Sequence, residues 1–515
     1  MIRTPVKRAG LATGVAGTAI VLLVQWSMGV WNAGWGSDPD SPAHLVSALL
    51  IREYAQTGIA AGRSPMEFAL DYYHRFQKAA IGHWPPLYHA CLALWMTFTP
   101  NSPPWIHAFQ ALLAGAVAGL TVLLGSFVLG IRRSVLAGIV VAAAPAILNI
   151  GCSMLADLML AVWVTGGLVA FMLYWRKPGW KPAAWLGACA AAALFTKPTG
   201  VILLAIPPFC VLARKRWSLL GERTFWWPAL FSLALAGPWY LAFFNDARDG
   251  YLQPKLLFSW LVATPLANAV FVTKVLGLAG AILAAAGAWR FRRRTAASLL
   301  ACSVAAGYLL FTLILPSKAF RHYAPLTPSM AILAVAGLTQ FLRSIPGCGP
   351  GGLSRWCGWL ILPVVAASVR LDVTDSGVRP MVESLLARSG RPQTWLVAGS
   401  AAFEGDVIAE AALRKPSAGL TVYRGTKLFM RGRWDPWNAR LAVRSPAEVA
   451  ELIGRCSVHT VILGRDSPDV VAAAVSRNPQ YWKPRQTGLR SEAGVVFERI
   501  GPPPAGLGPP LIQKP

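Results

Sequence analysis

A few short stretches of this 515-residue chain carry side chains able to do chemistry. The first is Asp38-Pro39-Asp40-Ser41-Pro42-Ala43-His44, directly after an apolar run. Two carboxylates and an imidazole at this spacing can supply a general base, ligands for a divalent metal, or both. Asp, Ser and Pro also favour turns and helix N-caps, so a purely structural turn fits the same residues. The second stretch is Gly82-His83-Trp84-Pro85-Pro86-Leu87-Tyr88-His89. Its histidines could hold a metal or a phosphate. Its aromatic and proline content equally fits an interfacial anchor opening a helix. Asp157 stands alone at the start of an apolar run, and an ionisable group at membrane depth is costly enough to point to function. Three isolated cations, Lys197, Lys318 and Arg321, lie beside apolar segments. A phosphate would satisfy them, Arg as a planar fork and Lys as a point charge. Snorkelling to lipid headgroups is the alternative for each one.

The elements that must position these groups are membrane helices. The chain is 55% hydrophobic and 14% charged, where soluble domains carry about 25% charged residues. An ordinary cytosolic protein is thereby excluded. With 22 Trp and 21 Phe the chain is too apolar to be disordered. The net charge of +26 points to a bilayer with an anionic face, with no nucleic acid as partner. The eight cysteines sit mostly in apolar runs and form neither a disulfide framework nor a zinc spacing.

Apolar runs able to cross about 30 Å of hydrocarbon lie at 11–31, 106–130, 134–152, 156–175, 225–244, 269–289, 297–315, 324–342 and 355–369. The stretch 183–213, interrupted at Lys197-Pro198, reads as two short helices, giving about 11 spans. Lys and Arg set the orientation. Arg3, Lys7 and Arg8 place the N-terminus in the cytoplasm, and the connections on that side hold 18 basic residues and one acid, Glu222. Seven of the nine acids before residue 370 lie in two outer connections: Asp38, Asp40, Glu53, Glu67 and Asp71, then Asp246 and Asp249. Residues 85–99 are short and proline-flanked, and a crossing there would turn Arg132-Arg133 outward. They read as a re-entrant or interfacial helix inside a long first outer loop, 32–105. The initial apolar run is long for a secretory signal and is read as an uncleaved anchor.

Residues 1–369 thus form a transmembrane domain. From 370 to 500 strand and helix patterns alternate. Short apolar runs at Thr394–Ala398, Leu420–Tyr423, Thr460–Leu463 and Val495–Phe497 are expected strands, and Met381–Arg388, Glu404–Leu413 and Pro446–Ile453 expected helices. Ser445 and Glu448 have capping-box spacing. The expectation is a small extracytoplasmic α/β domain, followed by a proline-rich disordered tail, 501–515.

At these residues the chain resembles the GT-C superfamily of polytopic glycosyltransferases, in particular the protein O-mannosyltransferases and the lipid A aminoarabinose transferases. Asp40…His44 fits the acidic motif after the first span, and Pro85-Pro86-Leu87-Tyr88 a Pro-Pro-Leu-Tyr motif in the same loop. Asp157 opens a span, Thr196-Lys197 marks a helix break, and Pro238-Trp239-Tyr240 closes a span. Arg321, Tyr323, Pro325 and Pro328 match a late Arg-Tyr motif, with His322 inserted. The order of these motifs agrees along residues 1–345. Two positions depart: Ser41 replaces the usual Glu of an acidic pair, with Asp38 as its substitute, and Trp84 stands where relatives have Lys.

The resemblance implies inverting transfer of a sugar from a polyprenyl-phosphate donor to an acceptor hydroxyl on a lipid, protein or polysaccharide. The enzyme would sit in a bacterial plasma membrane. Asp40, Asp38 and Asp157 are the expected catalytic residues. His44, His83, Tyr88, Lys197, Lys318, Arg321 and Tyr323 are the expected substrate-binding residues. A divalent metal, Mg or Mn, is expected at Asp40, Asp157 and His83 if one is used. The alternative is a transporter or flippase of lipid-linked envelope intermediates, which would place polar residues at mid-membrane along several spans.

Overall fold

A computed structural model provides the fold. It describes residues 2–36, 38–245, 262–314, 319–344, 375–387, 392–414, 419–431, 440–490 and 493–501, with isolated positions between 362 and 373. Lys318, Asp246, Asp249, most of the expected span 355–369 and the tail beyond Gly501 lie outside the described residues.

The chain divides into two compact units, and the division does not follow chain order. The first comprises Met1–Ser27, Trp84–Tyr88 and His107–Leu371. Among the described residues it is helical throughout. Six helices are long and apolar enough to cross a membrane, or seven if the pair Ile131–Ala142 and Pro145–Gly151, bent by 51°, is one span. The bend falls where Pro145 follows Ala144 in extended conformation, because a residue before proline is kept out of the helical region. Trp180–Thr196 and Ile202–Arg214 are shorter helices on either side of a tight turn at Pro198–Val201.

Small residues let these helices approach closely, as helices in lipid must. A Cβ at Gly115 would stand 2.1 Å from the Thr18 hydroxyl and 2.4 Å from the Gly14 carbonyl. Buried Gln25, on the Thr4–Ser27 helix, ties the same region together by donating to the carbonyls of His107 (3.0 Å) and Gly151 (2.8 Å). Gly115→Val is therefore expected to lower stability by about 1–3 kcal/mol, seen as a lower thermal midpoint in detergent. An unchanged midpoint would show the seam to be loose.

The second unit comprises Met28–His83, His89–Ile106 and Asp372–Pro515. It contains a five-stranded sheet. The strands are β1 (Gln393–Ala398), β2 (Leu420–Arg424), β5 (Thr460–Gly464), β6 (Trp482–Arg485) and β7 (Gly494–Arg499). Short β3 (Met430–Arg431) and β4 (Arg440–Leu441) pair separately. The sheet order is β2-β1-β5-β7-β6, with β2, β1 and β5 parallel and β7 and β6 antiparallel. Its core includes Leu396, Val449, Val461, Val471 and Trp482. Ser445 caps the Pro446–Arg455 helix through the Glu448 N–H.

The loop after the first span folds onto this sheet. Phe76 makes a parallel bridge to Val422 of β2, and the Arg424 N–H donates to Gln77 (2.9 Å). Arg379, on the Val378–Leu386 helix, donates to the carbonyls of Trp31 and Ala33. Residues 28–83 and 372–501 thus share one unit although the transmembrane domain separates them in sequence. Within it, Leu87–Phe98 spans 12 residues, about 18 Å at 1.5 Å per residue, too short to cross hydrocarbon.

Candidate functional site

In the membrane unit the site begins with a forced break. Pro198 keeps Lys197 out of the helical region, at φ −161° and ψ 144°. The Trp180–Thr196 helix therefore ends at Lys197, whose side chain turns into the protein and is 5% exposed. Its ammonium donates to Asp157 Oδ1 at 2.7 Å. Asp157 opens the Asp157–Arg176 helix, where a carboxylate suits the positive end of the helix dipole. It is 1% exposed, and its second oxygen, Oδ2, has no hydrogen-bond donor among the described residues. Of the partners open to Asp157 from sequence, the structure selects the cation.

Tyr88 is fully buried, and its hydroxyl accepts from Gln110 Nε2 at 2.6 Å. Gln110 also donates to the Leu155 carbonyl, two residues before Asp157. The turn Phe320–Leu326 carries half-buried Arg321 and buried Tyr323, whose ring meets Phe311 edge-on at 5.1 Å. This turn packs against the Asp157 helix. The membrane unit thus gathers Asp157, Lys197, Tyr88 and the Arg321 turn. Trp84, at the position of the expected Lys, is buried.

In the second unit, Asp40 is the first residue of the Asp40–Glu53 helix. Asp38 Oδ1 accepts the Asp40 N–H at 3.0 Å, and the Asp38 carbonyl accepts the Ser41 N–H. Asp38 thereby builds the turn that presents Asp40. One helical turn on, His44 is buried, with Nδ1 2.8 Å from Nε2 of buried His89 and the two rings stacked. His83 is buried as well. Among the described residues no three His, Cys, Asp or Glu side chains gather as ligands for a metal, so no step below is assigned to Mg or Mn.

Three residues of consequence escaped the sequence reading: Gln110, His89 as the partner of His44, and Lys78. The signal for Lys78 was a lone cation in the run Phe76–Ile81. It is 4% exposed and lies against the Ala401–Arg414 helix, donating to the Ala401 carbonyl at 3.0 Å. A Cβ at Gly405 of that helix would stand 2.8 Å from Lys78 Cε and 2.5 Å from Pro42 Cγ. The glycine therefore lets the helix lie against both Lys78 and the first turn of the Asp40 helix. Burial lowers the Lys78 ammonium to about 7, helped by the charge of Arg424 and opposed by Glu404, Asp40 and Asp406. Close by, Glu404 accepts from Arg424 (2.7 Å) and from the Thr426 N–H and hydroxyl.

Asp406 belongs to the same network and accepts the Trp35 N–H at 3.2 Å. Burial pushes its carboxyl up to about 7, against the Trp35 hydrogen bond and the charges of Lys78 and Arg379. Its folded value exceeds the ordinary 3.8, so folding favours the protonated acid. That stabilisation is full below about pH 4 and is lost as pH rises through about 7. Asp406→Asn keeps the acceptor oxygen. It is expected to match wild type in thermal midpoint at about pH 4 and to exceed it by several degrees at about pH 8. A midpoint that tracks wild type at both would refute this.

No family model matches the sequence, and no curated protein does. Solved structures do match. ArnT from Cupriavidus metallidurans in the apo state is 12% identical, with a TM-score of 0.58 over 94% of this chain and 97% of its own. The same protein bound to undecaprenyl phosphate is 14% identical, with a TM-score of 0.58 over 96% and 99%. The archaeal oligosaccharyltransferase AglB from Archaeoglobus fulgidus, in complex with an inhibitory peptide and a dolichol-phosphate, is 12% identical. Its TM-score is 0.54 over 88% of this chain and 69% of its own. At these identities the likeness is one of fold. The motif order and the architecture agree: this chain is a multi-pass membrane protein with the fold of the GT-C glycosyltransferases.

Proposed function

We propose that the protein is an inverting glycosyltransferase that moves a sugar from a polyprenyl-phosphate donor to an acceptor hydroxyl on the extracytoplasmic side of a bacterial plasma membrane. The observation that carries this reading is the buried Lys197–Asp157 pair at a helix break, in a chain that shares its fold with a protein solved with undecaprenyl phosphate.

In this reading Asp40 is the general base. The acceptor oxygen attacks the anomeric carbon while its proton passes to the carboxylate. The bond from that carbon to the phosphate oxygen breaks, and the electron pair leaves on the lipid phosphate. Lys197 and Arg321 stabilise the charge that develops there. Asp157 positions Lys197 through Oδ1, and Tyr88 and Tyr323 shape the surrounding wall. Asp38 fixes the turn before Asp40, and His89 fixes the ring of His44. Lys318 and His83 are proposed to aid phosphate binding.

The test is incubation of the purified protein with a panel of radiolabelled polyprenyl-phosphate sugars and membrane fractions. Label should move to an acceptor and leave free polyprenyl phosphate. Transfer from none of the donors would overturn the proposal. Label that stays on its lipid but changes leaflet would establish the flippase reading instead.

A further inference from the structure

A pocket of about 420 Å³ opens in the membrane unit among the ends of its helices. Four arginines line it: Arg133, Arg290, Arg293 and Arg294. No Asp or Glu stands among its described lining residues. Thr339 and Gln340 add neutral hydrogen-bonding groups, and Leu129 and Phe291 an apolar wall.

The arginines come from separate elements. Arg133 lies in the first turn of the Ile131–Ala142 helix, and Arg290 ends the Thr264–Arg290 helix. Arg293 and Arg294 precede the Thr295–Leu309 helix. Arg133 and Arg294 therefore sit at the positive ends of helix dipoles, where a cation is unfavourable. Four like charges around one concave space add mutual repulsion. The Arg294 guanidinium lies over the Phe291 ring at 4.9 Å, which directs its N–H edge away from the ring face.

Basic residues at one end of a membrane bundle are expected from the topology rule alone. That rule asks only for positive charge near the helix ends. It does not ask that four guanidiniums from three connections converge on a cavity. Convergence without a carboxylate is the arrangement that a phosphate would relieve, since each guanidinium can offer it a two-pronged donor. The pocket is distinct from the Lys197 region. Thr339 lies about 18 Å along the Thr327–Ser344 helix from Thr327, the residue that follows the Arg321 turn.

We propose that this pocket binds a phosphate group, carried in the membrane by the headgroup of an anionic phospholipid, with the glycerol region against Leu129 and Phe291. Basic pockets between transmembrane helices suit such headgroups. The site is independent of the transferase reading.

The test uses the full-length protein, delipidated in a neutral detergent, titrated with phosphatidylglycerol, phosphatidylcholine and sodium pyrophosphate, with binding read by native mass spectrometry and calorimetry. Wild type should bind phosphatidylglycerol and not phosphatidylcholine. The double variant Arg293→Gln/Arg294→Gln should bind it at least tenfold more weakly, with an unchanged thermal midpoint in lipid-free detergent. The matched control is Arg132→Gln/Arg292→Gln, which removes two charges beside the pocket but none from its lining. It should bind as wild type does. Pyrophosphate binding with the same dependence on Arg293 and Arg294, in place of lipid, would uphold the phosphate site and assign it to a soluble ligand. Equal losses in the two double variants, or equal binding of both lipids, would overturn the proposal.

Discussion

Asp40→Asn is expected to lower turnover by about 100- to 10,000-fold, the usual contribution of a positioned general base, while donor affinity and fold persist. The reasons are local. Asn matches Asp in size, and the bond that shapes the turn runs from the Asp40 N–H to Asp38, so the substitution leaves it intact. The helix loses one favourable charge in its first turn, about 0.3–1 kcal/mol, too little to unfold the protein. What disappears is the ability to take the acceptor's proton. Asp38→Asn is the control, since its amide oxygen can still accept the Asp40 N–H, and its turnover should stay within a few-fold of wild type. Wild-type turnover in Asp40→Asn would remove Asp40 from the chemistry.

Lys197→Met should show two separable effects. The first is on stability. It leaves the Asp157 carboxylate buried without its cation, and breaking a buried pair in this way costs about 3–5 kcal/mol. The second is on turnover, through loss of the charge proposed to meet the leaving phosphate, where removing one such donor costs about 100- to 1,000-fold. The double variant Lys197→Met/Asp157→Asn separates them. With no uncompensated charge left, most of the stability should return, while turnover should not. Recovery of both would make the pair structural only. Lys197→Arg should rescue turnover poorly, because a planar fork cannot reproduce a point charge at a site formed around a single 2.7 Å contact.

Much of this fold is written in local pattern. The apolar run at 156–175 is a helix at Asp157–Arg176 because length and hydropathy suffice for one. The break at Lys197-Pro198 follows from proline geometry alone. The strands at 394–398 and 460–463 lie within β1 and β5, whose uniformly buried residues make continuous apolar runs. Strand β6 escaped notice because Trp482-Lys-Pro-Arg485 contains a proline, which a sheet tolerates at its edge, where β6 lies. The Asp469–Ser476 helix is only eight residues long and carries too little periodicity to stand out.

The candidate site divides along the same line. Asp40, Asp157, Lys197 and Arg321 stand out in the sequence because a charge beside an apolar run is conspicuous. Their partners do not. Asp157 is 40 positions from Lys197, His44 is 45 from His89, and Lys78 is 323 from Ala401. Nor does the chain announce that residues 28–83 fold with the C-terminal sheet, through Phe76 on β2 and Arg379 on Trp31.

The sequence by itself therefore determined the helices, the break and the charged residues, since proline sterics, hydropathy and periodicity act over a few neighbours. Only the tertiary structure decided which charges meet and which segments share a unit. A buried charge or polar group must find its complement wherever packing brings one within hydrogen-bond reach, and that distance is fixed by how helices and strands stack, not by their separation along the chain.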